Sequence, residues 1–306
     1  MDRFQLLRCF IRVADRGSFS AVAAELGLSQ SAVSKQIAAL ESQLRVRLLH
    51  RSTHELSLTA EGQRFLARAR DILEAIDEAE AELHDGSLQP RGWLRVSCPL
   101  SFGQLQILPR LAALQSVHPE LAIDLQMSDG YVDLIRDGID VAIRIGNLPD
   151  SSLIARPLGT SMRTVIGSRA YLNRYGIPES PDALTEHRCI IYTRSDTGDQ
   201  WSFRGERGSY ALKVRGALRV DSHVGVRAAV LAGLGLAMAP TWLFPDELKN
   251  GSVAAALRSY DCPPQAISAV YPSRRYVSPK LRALIDFLRE EFELDPMVSR
   301  YGADEA

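Results

Sequence analysis

The sequence has few cysteines, no long apolar run and almost no net charge, and each shortage excludes something. Its 306 residues hold four cysteines: Cys9, Cys98, Cys189 and Cys262. None lies within ten residues of another, so no zinc-ligand or redox spacing exists. Free thiols in a reducing cytoplasm are the expectation. No stretch reaches the ~20 apolar residues that a membrane span needs. The opening MDRFQLLRCFIRVADRGSF alternates charged with apolar residues and lacks a signal-peptide core. A cytoplasmic protein with no membrane partner is therefore expected. Enzyme signatures are missing too: there is no GxSxG, GxxxxGK[ST], HExxH or strand-following GxGxxG. The six histidines (His50, His54, His84, His118, His187 and His223) scatter through what read as loops and polar faces. No catalytic residue, cofactor or metal is expected.

The formal charge of −1 hides a gradient. Residues 1–59 carry eight Lys and Arg against five Asp and Glu, whereas residues 60–90 carry three against eight. A basic head before an acidic segment suggests that nucleic acid meets the head only. The length suggests about two domains, and 46% apolar with 24% charged residues is ordinary for a globular protein.

Three regions follow from the patterning. Residues 1–59 hold short helices and a hairpin-like tail, residues 60–86 one long helix, and residues 91–293 alternating strands and helices. DGSLQPRG, at 85–92, reads as a hinge. In the last region, strands are expected at Leu94–Cys98, Leu121–Met127, Val141–Ile145, Arg188–Tyr192, Leu218–Val220 and Leu236–Ala239. Helices are expected near Phe102–Ser116, Arg169–Tyr175, Val224–Ala232 and Leu281–Phe292, with a helical turn at Tyr131–Arg136. That alternation implies an α/β body with largely parallel sheets. In the long helix Thr59 is the expected N-cap, with Glu61 in the first turn. Phe65, Ala69, Ile72, Ile76, Ala79 and Leu83 then form a heptad seam, widened by Leu66 and Leu73. Packing on its own domain would cover such a seam. The sustained heptad period favours a helix–helix dimer contact instead.

One segment carries the function: GSFSAVAAELGLSQSAVSKQIAALE. Phe19, Val22, Ala23 and Leu26 lie on one helical face. Gly27 can take the left-handed conformation that ends the helix, and Ser29 can cap the next. In that second helix Val33, Ile37 and Leu40 face inward, while Gln30, Ser31, Ser34, Lys35 and Ala38 fill another arc. Solvated faces usually carry Glu and Lys. A face of Gln, Ser and Ala can instead approach base edges, where Gln pairs bidentately with adenine and Ser and Lys hold phosphates or bases. An ordinary helical hairpin with a polar outer face is the plainer alternative. Position favours the DNA-reading motif, with Ser29, Gln30, Ser31, Ser34 and Lys35 at the groove. RLLHRSTHELSLTAEG then reads as a two-stranded wing, with Leu56 and Leu58 inward and Arg51 beside a phosphate.

This segment resembles the winged helix-turn-helix of LysR-type transcriptional regulators. LSLTAEG, VDLIRDGIDVAIRIGNLPDSSLIARPLG, AAVLAGLGLAMAP and SPKLRALIDFL extend the resemblance to the effector domain, in the CrgA-like branch of the family, from Phe4 to about Phe292. Members often carry Arg where this wing has His54 and Glu55, and Glu55 would repel a phosphate. The resemblance implies domains at 1–59 (DNA-binding), 60–86 (linker and dimerisation helix) and 87–306 (effector-binding). Within the last it implies two subdomains like those of periplasmic solute-binding proteins, 91–162 with 268–293 and 163–267. It further implies promoter DNA, RNA polymerase and a small-molecule effector as partners, and a homotetramer built as a dimer of dimers.

Ligands of such folds sit beyond the carboxyl ends of strands, near helix N-termini. The turn Pro99-Leu100-Ser101-Phe102 follows the first strand, and Ser101 can bind a carboxylate or merely cap. Ser128 ends the second strand. Arg144, in AIRIG, can pair with an anion or with Asp140. Asp221 and Ser222 precede a helix and can line the site or cap it. These residues, with Leu100 and Phe102, are the effector candidates, and their balance points to an anionic ligand. Trp201 and Phe203 alternate as in a strand and suit either a pocket or a core. Cys98 lies beside the expected cleft, where a buried thiol is weighed against a redox sensor. An enzyme and a transporter's solute-binding protein are the competing classes. The first lacks a motif and the second would not need a DNA-binding head.

Overall fold

The computed structural model describes residues 2–51, 56–85, 89–130, 132–148, 153–195, 197–205, 208–216, 218–272 and 277–299. The chain divides into two units, Met1–Gln89 and Pro90–Ala306.

The first unit begins with α1 (Arg3–Arg16), α2 (Phe19–Leu26) and α3 (Gln30–Leu44). Strands β1 (Leu49–Arg51) and β2 (Leu56–Leu58) pair antiparallel, and α4 (Ala60–Asp85) follows. Leu6, Phe10, Val13, Val33, Ile37 and Leu40 are fully buried at 0% exposure, each stabilising by about 1.5–3 kcal/mol. Leu26, on the same expected face as Val22 and Ala23, is 43% exposed. Only Val22 and Ala23 of α2 are buried, and the helix stops one residue after Leu26 at Gly27. The wing joins α4 through Thr59. Its hydroxyl donates to the Arg47 carbonyl and accepts from the Gly62 N–H, both at 2.8 Å. A β-carbon on Gly62 would collide with the Leu48 carbonyl oxygen. LTAEG therefore needs both its threonine and its glycine.

In α4 the heptad reading requires correction at its start. Ala69 is fully buried and Phe65 half-buried, both within the core of this same unit. The Phe65 ring lies 5.7 Å from that of Phe10, and Arg70 pairs with Asp15 of α1. These residues cover their own domain instead of joining a dimer seam. Ile72 is 45% exposed and Ile76 half-buried. The side chains of Ala79 and Leu83 lie outside the described residues, as do His54, Glu55 and the side chain of Arg51.

The second unit opens with β3 (Gly92–Cys98). A helical stretch follows, made of α5 (Leu100–Phe102), a π turn (Gly103–Ile107) and α6 (Leu108–Val117). Next come β4 (Leu121–Met127), β5 (Val141–Ile145), β6 (Leu153–Ser161), β7 (Arg163–Ser168), α7 (Arg169–Tyr175) and β8 (Ile190–Tyr192). The chain continues through β9 (Gln200–Gly205), β10 (Gly208–Lys213), β11 (Leu218–Val220), α8 (His223–Leu231) and β12 (Ala237–Pro240). It ends with α9 (Pro245–Asn250), β13 (Val253–Ala256), β14 (Gln265–Pro272) and α10 (Pro279–Leu294). The helical turn expected at Tyr131–Arg136 is a plain turn over residues 134–138.

Two principal sheets result, with orders β4-β3-β5-β14-β6 and β12-β7-β13. The first is mixed and the second antiparallel, so neither is largely parallel. β3 runs parallel to β4 and β5, but β14 is antiparallel to β5 and β6, and β7 is antiparallel to both neighbours. The cause is the path of the chain. It leaves the first sheet between β6 and β7 and returns as β14, without a helical crossover at either passage. The return precedes Gln265, so the crossing falls ahead of the 267/268 boundary expected from the sequence. One core spans both halves. In it Phe102 packs edge-on to Trp242 at 5.1 Å and to Phe292 at 5.9 Å, and Trp242 donates to Ser161 Oγ at 2.8 Å.

Candidate functional site

In the first unit, α2 and α3 form two helices joined by a tight turn. Ser18 caps α2, Gly27 ends it at φ 65°, and Ser29 caps α3 by accepting from the Ala32 N–H at 3.2 Å. Burying Val33, Ile37 and Leu40 turns the opposite arc of α3 outward. There Gln30, Ser31, Lys35 and Ala38 are exposed and Ser34 is half-buried. Ser29 Oγ and Ser31 Oγ are 3.0 Å apart, so the first turn already holds two hydroxyls at the end where amide N–H groups point outward. Glu41 fixes the chain after α3, its Oε1 accepting from the Leu48 and Leu49 N–H groups at 2.8 and 3.2 Å. The helix α3 is thereby tied to the strand β1 that starts the wing. Sequence reasoning did not single out Glu41.

In the second unit a cavity of about 200 Å³ lies between the two principal sheets. Ser128 and Arg144, both expected there, line it. Ser128 Oγ accepts from the Gly130 N–H at 3.1 Å, and Arg144 Nη1 reaches the Ile143 carbonyl at 3.3 Å. Other candidates are placed elsewhere. Phe102 is at 0% exposure in the aromatic core. Ser222 caps α8, accepting from the Gly225 N–H at 3.1 Å. Asp221 stays off the wall, 3.8 Å from Arg194. Leu100 and Ser101 lie behind the wall, and the buried Ser101 Oγ has no hydrogen-bond partner among the described residues. The Leu100 N–H, expected to be open to a ligand, donates to Asp129 Oδ1 at 3.0 Å. The turn is thus compensated by a carboxylate from the loop after β4, a neighbour only in the folded sheet.

Residues that sequence reasoning did not reach complete the wall. Arg163 starts β7, Arg194 follows β8, and His223 starts α8. Arg194 Nη1 donates to the Asp129 carbonyl at 2.8 Å, linking the two halves. His223 is half-buried against Tyr192, ring centroids 4.2 Å apart, which corrects its reading as a polar-face histidine. Burial pushes its pKa down to about 4, with Asp129 opposing and Arg163 reinforcing. Burial likewise pushes Tyr192 up to about 12. Trp201 lines the cavity and also belongs to a core cluster, while Phe203 is core alone. Cys98 is fully buried and its thiol is pushed up to about 12 by burial, which leaves negligible thiolate at neutral pH. Applying the strand-end rule to β8 and β11 would have found Arg194 and His223. Arg163 had no such signal, because neither β6 nor β7 was read from the sequence.

The cavity therefore presents three guanidinium groups and one carboxylate around an aromatic wall, an arrangement suited to holding an anion by charge-assisted hydrogen bonds. A helix-turn-helix head ahead of a two-sheet body with such a cavity defines a DNA-binding transcriptional regulator with an effector-binding domain. Residues 4–63 match the bacterial regulatory helix-turn-helix protein, lysR family, and residues 87–293 match the LysR substrate binding domain. The chain belongs to the LysR family of transcriptional regulators. It is 36% identical over 287 residues to the HTH-type transcriptional regulator DmlR of Escherichia coli K12, covering 94% of this chain and 93% of that protein. It is 33% identical over 286 residues to CrgA of Neisseria meningitidis serogroup C, covering 93% and 95%. The solved structure of CrgA from Neisseria meningitidis aligns at TM-score 0.61 and 33% identity over 94% of this chain and 98% of that one. The full-length virulence activator AphB of Vibrio cholerae aligns at TM-score 0.57 and 27% identity, over 94% and 98%. No described helix is long and apolar enough to cross a membrane.

Proposed function

We propose that the chain is a sequence-specific regulator whose grip on promoter DNA is controlled by a small anionic effector held between the two halves of its C-terminal unit. It acts by binding, not by catalysis. The observation that carries the reading is the convergence of Arg144, Arg163 and Arg194 on one cavity. Arg144 and Arg163 would clamp the anion, Ser128 would donate to it, and Tyr192, Trp201 and His223 would shape its remainder. The effector would displace the hold of Asp129 on Arg194 and so favour one arrangement of the halves over another. In the first unit, Gln30, Ser31, Ser34 and Lys35 would read bases and phosphates, with Ser29 presenting the helix end and Arg51 on the wing. The domains would divide as 1–59, 60–86 and 87–306, in a cytoplasmic homotetramer formed as a dimer of dimers that contacts RNA polymerase. A thermal-shift screen of carboxylate and other anionic metabolites on the full chain tests the cleft. A true effector raises the melting temperature of the parent and not of Arg144→Ala. Equal shifts in both would place the ligand elsewhere.

A further inference from the structure

A second cavity, about 420 Å³, lies against β7 and β13 and shares Arg163 with the cleft. Three arginines line it, Arg163, Arg169 and Arg258, with one carboxylate, Asp261. A concave site whose arginines outnumber its carboxylates draws an anion. Two of the guanidinium groups are set in advance by main-chain carbonyls. Arg163 Nε and Nη2 donate to the Pro263 carbonyl at 3.1 and 2.9 Å, and Arg169 Nε donates to that of Gly251 at 3.3 Å. Groups already held lose little freedom when a ligand arrives. Thr164, also on the wall, adds a neutral hydroxyl donor. Beside Arg258, Leu257 is buried yet holds φ at +56°. A bulky residue rarely adopts that conformation, and such strain gathers at ligand sites. The field of Arg163 reaches Cys262 in this cavity as well as His223 in the cleft.

We propose that this cavity is a second ligand site, built for the tetrahedral oxyanion of a phosphorylated small molecule or of free phosphate. The planar forks of Arg169 and Arg258 match phosphate oxygens bidentately, and Arg163, held on the Pro263 carbonyl, adds its charge at the border with the cleft. The volume exceeds what one phosphate ion needs, so a phosphorylated metabolite fits it better than the bare ion.

Calorimetric titration of the full chain with inorganic phosphate and with glycerol 3-phosphate, at fixed ionic strength, tests the site. Saturable binding is expected for both, and tighter binding of the ester assigns the metabolite as the natural occupant. Arg258→Ala and Arg169→Gln should each weaken binding about tenfold, while Arg144→Ala should change it by less than about twofold. Arg258 is exposed, so its alanine variant keeps the fold even if the Arg169 variant does not. Unchanged affinity in Arg258→Ala overturns the proposal. So does a complete loss of binding in Arg144→Ala alone, which would assign the ion to the cleft and leave the effector reading standing. Absence of saturable binding to the parent also overturns it.

Discussion

Single residues already separate reading DNA from merely touching it. Gln30 is exposed at the first position of α3, with the amide needed for bidentate pairing to adenine. Gln30→Ala should cost about 1–3 kcal/mol of discrimination between operator variants. Competition gel shifts with single-base operator changes measure it, and an unaltered preference would remove Gln30 from the base-reading set. His223 ties the cleft to pH. Burial holds its pKa at about 4, below its ordinary 6.5. Between those values the unfolded chain binds more protons than the folded one, so stability rises with pH across that window. It is fully present above about 6.5 and is lost on acidification through about 4. The loss amounts to up to about 3 kcal/mol. Urea unfolding at pH 7 and pH 4.5 should show a smaller acid loss for His223→Gln than for the parent. Identical losses would mean that His223 is not the titrating group.

Among the elements, the first turns of α4 complete the core of the DNA-binding unit through Phe65, Ala69 and Leu73. On the proposed reading a second copy would pack at Ile72 and Ile76. A charge placed in an apolar contact is costly. Ile72→Asp and Ile76→Asp should therefore shift the sedimenting species to lower mass and weaken operator binding. Parent mass and affinity in both variants would mean that this stretch packs within one chain. The helices were largely legible in the sequence. Ser29 and Gly27 mark ends by capping chemistry, and α4 and α7 fell within a residue of their expected limits. Several strands were not. β6, β7, β13 and β14 lack clean alternation because they are buried unevenly, and their antiparallel pairing comes from the double passage between sheets, which no local pattern encodes. The site followed the same division. Ser128 and Arg144 end strands that were read correctly, whereas Arg163 sits at an unread passage and Asp129 reaches Leu100 only across the folded sheet.

In the whole molecule, the proposed function requires that an event in the C-terminal unit alter how paired heads would lie on DNA. A ligand achieves this only if it binds two arrangements of the protein unequally. The Arg194–Asp129 link and the arginines of the cleft are the contacts that an anion would redistribute. On the proposed reading, such redistribution would change the geometry of the bound complex more than the sum of its contacts with DNA. The most direct test is DNase I footprinting of the full chain on the DNA flanking its own gene, with and without the anion that gives the largest thermal shift. The effector should lengthen, shorten or re-phase the protected region with little change in half-saturation, and Arg144→Ala should keep the effector-free footprint but not the change. A footprint indifferent to the effector, or an Arg144→Ala protein that loses DNA binding and thermal stability together, would contradict control through this cleft.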